Sequence, residues 1–274
     1  MGKPFFRIQP RKNVLDIDFR ELWNYRDLFY FLVWRDILVR YKQTVLGAAW
    51  AVIQPLAGMV VFTLFFGRLA KISSDGIPYA LFSYTALVIW TFFSQSMNRS
   101  ASSLISDERL VTKIYFPRLI IPTAPVIGSL LDLAISCALL LIMIPFFGMY
   151  PSVNFWAAPA MVLLTMTASL GFGVWLSALN VKYRDFRYLI PFLAQFWMFV
   201  SPVVYPISLV PEKWRLIYAL NPLAGAIEGF RWAILGTEIN PWPIVAVSSF
   251  SAVAILLVGV IYFKNTERFF ADLI

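Results

Sequence analysis

The sequence predicts an all-α protein that crosses a membrane several times. Of its 274 residues, 60% are hydrophobic and 14% are charged, whereas about 25% of residues are charged in soluble domains. Several uncharged windows exceed the ~20 residues that a helix needs to cross the hydrocarbon core. The chain has no histidine and one cysteine, Cys137, inside an apolar run. We therefore expect no disulfide, no catalytic residue and no metal site.

Six windows predict six transmembrane helices. Four contain no charged residue and cover 43–67, 76–98, 188–211 and 239–263. In the stretch 119–181 only Asp132 is charged, and the turn-rich segment 145–154 divides it into spans of roughly 119–144 and 155–179. We therefore expect a tail of residues 1–45, one transmembrane domain, 46–265, and a short tail, 266–274.

The basic residues predict the orientation of these spans. If the amino terminus is cytoplasmic, 18 of the 23 Lys and Arg residues lie on the cytoplasmic side, as the positive-inside rule requires. Both termini are then cytoplasmic. This distribution also explains the net charge of +8, so we expect contact with anionic lipid and no nucleic-acid partner.

Apolar residues recur at helical spacing just before the first span: Tyr30, Trp34, Ile37, Leu38, Tyr41 and Val45. The polar residues of the same stretch fall on the opposite face: Arg35, Asp36, Arg40 and Gln43. This pattern is typical of a helix in the membrane interface, with its aromatic rings in lipid and its guanidinium groups toward phosphates and water. Such a helix is either a lever on the first span or a simple anchor.

The outer segment 206–241 does not resemble a loop. Its apolar stretch is too short to span and is interrupted by Asn221 and Pro222. The pattern predicts two short helices that meet at this pair and enter the outer leaflet as a re-entrant element. An amphipathic hairpin on the outer surface fits the pattern equally well.

Four stretches together resemble the permease subunits of type-2 ABC exporters for O-antigen, capsule or teichoic-acid polysaccharides. They are "RDILVRYKQTVLGAAWAVIQPL", "SDERLVTKIYFPRLIIP", "LNVKYRDFRYLIPFLAQFWMFVSPVVYP" and "LNPLAGAIEGFRWAILG". The resemblance implies a homodimer in the bacterial inner membrane that binds two copies of a separate ATP-binding subunit. The sequence has no G-x-x-x-x-G-K-[ST] motif, so we expect ATP and Mg²⁺ on that partner and no cofactor in this chain.

The resemblance also implies roles for individual residues. Residues expected to couple the chain to the ATPase are Arg40, Tyr41, Lys42 and Gln43 of the interface helix, Asp107, Glu108, Arg109 and Lys113 of a cytoplasmic coupling helix, and Arg184 and Asp185 of a second loop. Residues assigned to an outer gate are Trp214, Asn221, Pro222, Glu228 and Arg231.

Aromatic rings can stack on sugar rings without fixed hydrogen-bond geometry. We therefore hypothesise a substrate path between the first and fifth spans, lined by Trp50, Phe62, Phe66, Phe192, Phe196, Trp197 and Tyr205. Most aromatic residues in such spans would otherwise face lipid or other helices. Asp132, near the middle of the third span, is expected to bond across helices in a protonated form, so that Asp132→Asn would keep much of the activity.

The expected function is export of a lipid-linked polysaccharide, driven by ATP hydrolysis on the separate subunit. Within the family, a permease for a small drug or lipid is the alternative. From other classes, a lipid-carrier glycosyltransferase would use an acidic pair such as Asp16 and Asp18. A proton-driven carrier would require more intramembrane ionisable groups than Asp132.

Overall fold

A computed structural model describes residues 19–42 and 49–270, and this part of the chain is helical. Gln43, assigned to coupling, lies outside the described residues, as do Asp16 and Asp18. The helices are α1 (Phe19–Asn24), α2 (Arg26–Tyr41), α3 (Ala49–Phe62), α4 (Tyr79–Ser106), α5 (Glu108–Lys113), α6 (Ile120–Gly128), α7 (Leu130–Phe146), α8 (Ala158–Lys182), α9 (Phe186–Val200), α10 (Glu212–Tyr218), α11 (Pro222–Leu235) and α12 (Trp242–Thr266).

Four helical segments of the described chain are long and apolar enough to cross a membrane. They are Ala49–Leu69, Ile120–Phe146, Val153–Lys182 and Trp242–Phe269. The first consists of α3 and a turn of π-helix, Thr63–Leu69. The second consists of α6 and α7, which meet at Ser129. The predicted third span is therefore two helices rather than one.

The other two predicted spans differ from their sequence windows. Helix α4 is 28 residues long and continues past Asn98, where the uncharged window ends. Helix α9 has only 15 residues, because Ser201 leaves the helix with an extended backbone (ψ 154°) in front of Pro202. Proline disfavours the helical conformation of the residue that precedes it. The chain from 201 to 210 is irregular except for one short 3₁₀ turn, Ile207–Leu209.

Helices α4 and α8 form the centre of the bundle. Helix α4 packs against α3, α6, α7, α8, α9 and α11, and its residues from Leu81 to Trp90 are all buried. Helix α12 packs on α8 where two glycines allow close approach. A methyl group at Gly259 would lie 2.5 Å from the carbonyl oxygen of Gly171. Small residues at such contacts are typical of membrane helix packing.

Helix α11 lies inside the bundle, between α4, α8 and α12. Of its 14 residues, 13 are buried, whereas α10 has no buried residue. Substituting Gly225 would bring a methyl group within 2.6 Å of the Ser248 side chain on α12. The two short helices predicted from the sequence therefore exist and meet at Asn221 and Pro222. For α11, a position on the outer surface of the protein is wrong.

Candidate functional site

The polar face of α2 contacts the protein rather than water. The Arg35 guanidinium donates two hydrogen bonds to the Asp107 carboxylate, at 2.8 and 2.7 Å, in the bidentate geometry that favours this pair. The hydrogen bond from Asp107 raises the pKa of Arg35 above its ordinary value. The expectation that these guanidinium groups face phosphates and water is wrong, because α2 packs with its polar face on α4 and α6. Tyr30 and Trp34 on the other face are exposed, as predicted.

A second group of side chains centres on Asp132, in the first turn of α7. Its carboxylate accepts hydrogen bonds from Arg40 and Tyr41, the last two residues of α2. Arg99 of α4 donates to the same carboxylate at 3.3 Å. Burial and the Asp132 carboxylate raise the pKa of Tyr41 to about 12, so Tyr41 remains a neutral donor at physiological pH. One carboxylate therefore connects α2, α4 and α7.

Arg99 extends this group to α3. Its second guanidinium nitrogen donates to the Gln95 side chain at 3.2 Å, and the Gln95 amide donates to the Gln54 carbonyl on α3 at 2.9 Å. Four helices are thus joined by side-chain hydrogen bonds near the end of α2. We call the set formed by Arg40, Tyr41, Arg99 and Asp132 the Asp132 cluster.

The Asp132 cluster corrects the sequence analysis. Bonding across helices is confirmed, but two arginines within salt-bridge distance favour the ionised carboxylate over a protonated one. Arg35 and Arg99 were not among the predicted site residues. Arg99 follows directly after an uncharged window, where a helix that continues past the window would carry it into the bundle. No sequence signal shows that Asp132 lies beside it.

The residues assigned to coupling differ in their accessibility. Those on α5 and in the loop before α9 are exposed: Glu108, Arg109, Lys113, Arg184 and Asp185. Lys42 at the end of α2 is exposed as well. Buried Val111 anchors α5 on the bundle. Asp107 departs from the prediction, because its side chain is only 15% exposed and is bound by Arg35. It holds α2 and is not available to a cytoplasmic partner in this conformation.

The outer gate segment contains a buried ion pair. Arg231 of α11 is fully buried, and its guanidinium donates to the Glu228 carboxylate at 2.9 Å. The same guanidinium donates to the backbone carbonyls of Val203 at 2.9 Å and Phe82 at 3.3 Å, and it stacks 3.5 Å above the Phe82 ring. The pair therefore attaches α11 to α4 and to the irregular chain after α9. An exposed surface pair, the simpler expectation for this spacing, is wrong.

Asn221 caps α11 and also binds α9. Its side-chain oxygen accepts from the Leu223 amide and from the Trp197 indole, both at 3.1 Å. Its amide donates to the Ser201 hydroxyl at 3.0 Å. Pro222 is the first residue of α11, where its missing N–H has no cost. Trp214, on α10, is 52% exposed, so it contributes nothing to this closed arrangement.

The predicted substrate-path residues divide into two groups. Trp50 on α3 and Phe192 and Phe196 on α9 are 58, 65 and 61% exposed. The others are packed: Phe62 and Phe66 contact each other edge to face, Trp197 packs on Phe93 and Phe172, and Tyr205 is bonded to Tyr218. Only the exposed group can meet a substrate in this conformation, and the packed group serves the fold.

The chain shows no chemistry suited to a metal ion or a nucleotide in the part that the structure describes. Within residues 19–42 and 49–270, no three His, Cys, Asp or Glu side chains converge on a common point. What the arrangement offers is a set of ion pairs that connect helices at the two ends of α4. Such pairs can hold one arrangement of helices and release another.

Comparison with family models gives residues 27–235 as a match to the ABC-2 type transporter family. The chain belongs to this family. The match begins at the second residue of α2 and ends with α11, so it contains both the Asp132 cluster and the Glu228–Arg231 pair. The resemblance inferred from four sequence stretches is confirmed.

Individual relatives match over most of their length. The chain is 29% identical over 253 residues to the O-antigen export system permease protein RfbA of Myxococcus xanthus, covering 91% of this chain and 96% of that protein. It is 23% identical to the polysialic acid transport protein KpsM of Escherichia coli, covering 85% and 91%. The inner membrane transport permease YadH of Escherichia coli is 24% identical, covering 76% and 82%.

We predict that Asp132→Ala and Arg40→Ala are coupled in stability. Removing the carboxylate leaves two poorly solvated cations without their counter-charge, which costs about 2 kcal/mol. Once Asp132 is absent, truncating Arg40 should cost much less. Thermal unfolding of the four proteins of the double-mutant cycle in detergent measures the coupling. Arg109→Ala is the control, because exposed Arg109 should combine additively with Asp132→Ala; equal behaviour of the two arginines would contradict the role given to Arg40.

We predict that Arg231→Leu destabilises the protein by about 3–5 kcal/mol, because it leaves the Glu228 carboxylate buried without a partner. The double variant Glu228→Leu with Arg231→Leu should recover part of this loss. Thermal unfolding and the yield of folded protein measure both effects. A double variant less stable than Arg231→Leu alone would show that the pair is not a self-contained unit.

Proposed function

We propose that this chain is the transmembrane subunit of an ATP-driven exporter that moves a lipid-linked polysaccharide across the bacterial inner membrane. The polysaccharide is of the O-antigen, capsule or teichoic-acid type. The observation that carries the proposal is the end-to-end similarity to O-antigen export permeases, which covers 91% of this chain. The shorter match to YadH keeps a permease for another substrate as the alternative within the family.

The membrane topology in this proposal has six spans with both termini cytoplasmic. The four long apolar segments are supplemented by α4, whose 28 residues exceed the length of a hydrocarbon core. The fifth span is α9 together with the irregular chain that follows it, and this backbone is tolerable because it is buried against α4 and α11. The segment of α10 and α11 then enters from the outer side. The distribution of basic residues supports this orientation.

The proposed assembly is a homodimer with two copies of a separate ATP-binding subunit, which carries the ATP and Mg²⁺. Two peripheral helices support dimerisation by their exposed apolar faces, α3 through Trp50 and Phe65 and α9 through Phe192 and Phe196. The accessible charges of α5 are the proposed contact for the ATP-binding subunit. The permease itself catalyses no reaction in this scheme.

The Asp132 cluster is the proposed connection between α2 and the spans. The carboxylate of α7 holds the end of α2, so a displacement of α2 acts directly on α4 and α7. A helix that served only as an anchor would need its apolar face but not these ion pairs. The geometry therefore favours the lever over the anchor.

We predict that reversing the charges of α5, with Arg109→Glu and Lys113→Glu together, uncouples the complex. Both side chains are exposed, so folding should be unaffected while the partner contact is lost. The measurement is ATP hydrolysis by the reconstituted permease and ATP-binding subunit, with and without lipid-linked glycan. We expect glycan stimulation to fall at least about tenfold, the effect of losing ~1.4 kcal/mol at the interface.

Lys213→Glu is the matched control, because Lys213 is also exposed but lies in the outer segment. It should leave stimulation intact. Stimulation that survives the α5 reversal would contradict the coupling role of this helix. If lipid-linked glycan has no effect on the wild-type complex and another lipid or drug does, the proposed substrate is wrong while the assembly stands.

We predict that Phe192→Ala with Phe196→Ala reduces glycan export without destabilising the protein. Each exposed ring that stacks on the substrate contributes about 0.5–1.5 kcal/mol, so the pair should change the rate about fivefold or more. Export of labelled glycan in cells, at equal permease levels, is the measurement. Phe250→Ala on α12 is the control, since that ring is 75% exposed on another helix. Equal export by both variants would exclude the aromatic path.

A further inference from the structure

An apolar groove lies where α1 and α2 meet the bundle. Its volume is about 530 Å³, within the range of about 300–1,000 Å³ that is usual for ligand pockets. Leucine and valine side chains of two spans form its walls, from α8 by Leu170 and Val174 and from α12 by Leu256 and Val260. Residues of α1, α2 and α6 complete it.

One end of this groove is aromatic and cationic. Trp23 and Arg26 both line it, with the Arg26 guanidinium 5.6 Å from the Trp23 ring. The Arg26 side chain is 57% exposed, and its carboxylate neighbour Asp27, at 3.8 Å, is 92% exposed. An ion pair between such exposed groups is weak, so it leaves Arg26 able to bind another anion.

Polar atoms are scarce along the rest of the groove. Among the described residues that line it, Thr123 is the only polar one apart from Arg26. The Thr123 hydroxyl already donates to the Leu119 carbonyl at 2.6 Å. The groove therefore suits a long apolar chain with a negative group at one end. It does not suit a sugar or a peptide, whose polar groups would be left without partners.

We propose that this groove binds an anionic glycerophospholipid of the surrounding membrane, with one acyl chain between α8 and α12 and its phosphate on Arg26. Three observations point to this occupant. The walls belong to membrane-spanning segments, so the groove opens toward lipid. Tryptophan and arginine are the residues that sit at the headgroup level of a bilayer. The guanidinium group matches a phosphate in charge and geometry.

The bound lipid would brace α2 against the bundle. Phe29 of α2 and Ile120 of α6 line the groove, and both belong to the apolar cluster that seats α2 on α6. The same helix carries Arg35 and Arg40 on its polar face. The lipid thus completes the apolar half of an attachment whose polar half is the Asp132 cluster. This inference requires a membrane-embedded chain but not any particular exported substrate.

The test is native mass spectrometry of the purified, delipidated full chain titrated with phosphatidylglycerol or phosphatidylcholine of the same acyl composition. We expect one tightly held phosphatidylglycerol per chain, with phosphatidylcholine about fivefold weaker. Arg26→Gln should remove this difference. Lys213→Gln removes one exposed charge elsewhere in the chain and should leave the difference unchanged.

Two tryptophan substitutions on α12 locate the site. Val260→Trp fills the groove and should abolish the tightly held lipid. Val258→Trp is the matched control, because Val258 is 53% exposed and does not line the groove. It should bind phosphatidylglycerol as the wild type does. Both variants are compared by thermal unfolding, and Arg26→Gln, an exposed position, tests the headgroup contact independently of packing.

Four results would overturn the proposal. Equal affinity of the wild type for the two lipids removes the role of Arg26, and undiminished binding by Val260→Trp places the lipid elsewhere. Lipid binding that appears only after Phe5→Ser and Phe6→Ser would make the amino-terminal segment the occupant. Displacement of phosphatidylglycerol by equimolar polyprenyl phosphate would make the groove a site for a carrier lipid.

Discussion

Each charged side chain inside this apolar bundle has a partner, and these pairs hold the moving parts of the fold. Removing an ion from water costs several kcal/mol unless an opposite charge and hydrogen bonds replace the lost hydration. Asp132 is neutralised by Arg40 and Arg99, and Arg231 by Glu228. The first group attaches the amino-terminal helix, and the second keeps α11 inside the bundle. Both segments would be poorly fixed by apolar contacts alone.

Helix α4 takes part in both attachments. Near one end Arg99 binds Asp132, and near the other end the Phe82 carbonyl accepts from Arg231. Between them, α4 is packed on six other helices and is too closely surrounded to bend locally. A rigid element that is bound at both ends by ion pairs can relate the position of α2 to that of α11. In an ATP-driven exporter, this relation would connect the cytoplasmic contact with the outer gate segment.

The distribution of exposed apolar surface distinguishes three sides of the bundle. Helices α3 and α9 present large aromatic side chains, as a partner protomer or a passing glycan would require. The groove under α1 and α2 combines apolar walls with a cationic rim, which fits an anionic lipid. The packed aromatic residues, such as Trp197, are held in place by edge-to-face contacts and a hydrogen bond and connect α9 with α4, α8 and α11.

The sequence by itself determined that the chain is helical and membrane-embedded, and that two short helices meet at Asn221 and Pro222. Those conclusions depend on local composition, periodicity and turn residues. It also indicated the family, because four motifs keep their order and spacing. Only the tertiary structure decided the partners of the charges: Arg40 lies 92 residues and Arg99 33 residues from Asp132. Hydrophobic periodicity shows which face of a helix is apolar, but it does not show which helix lies against the polar face.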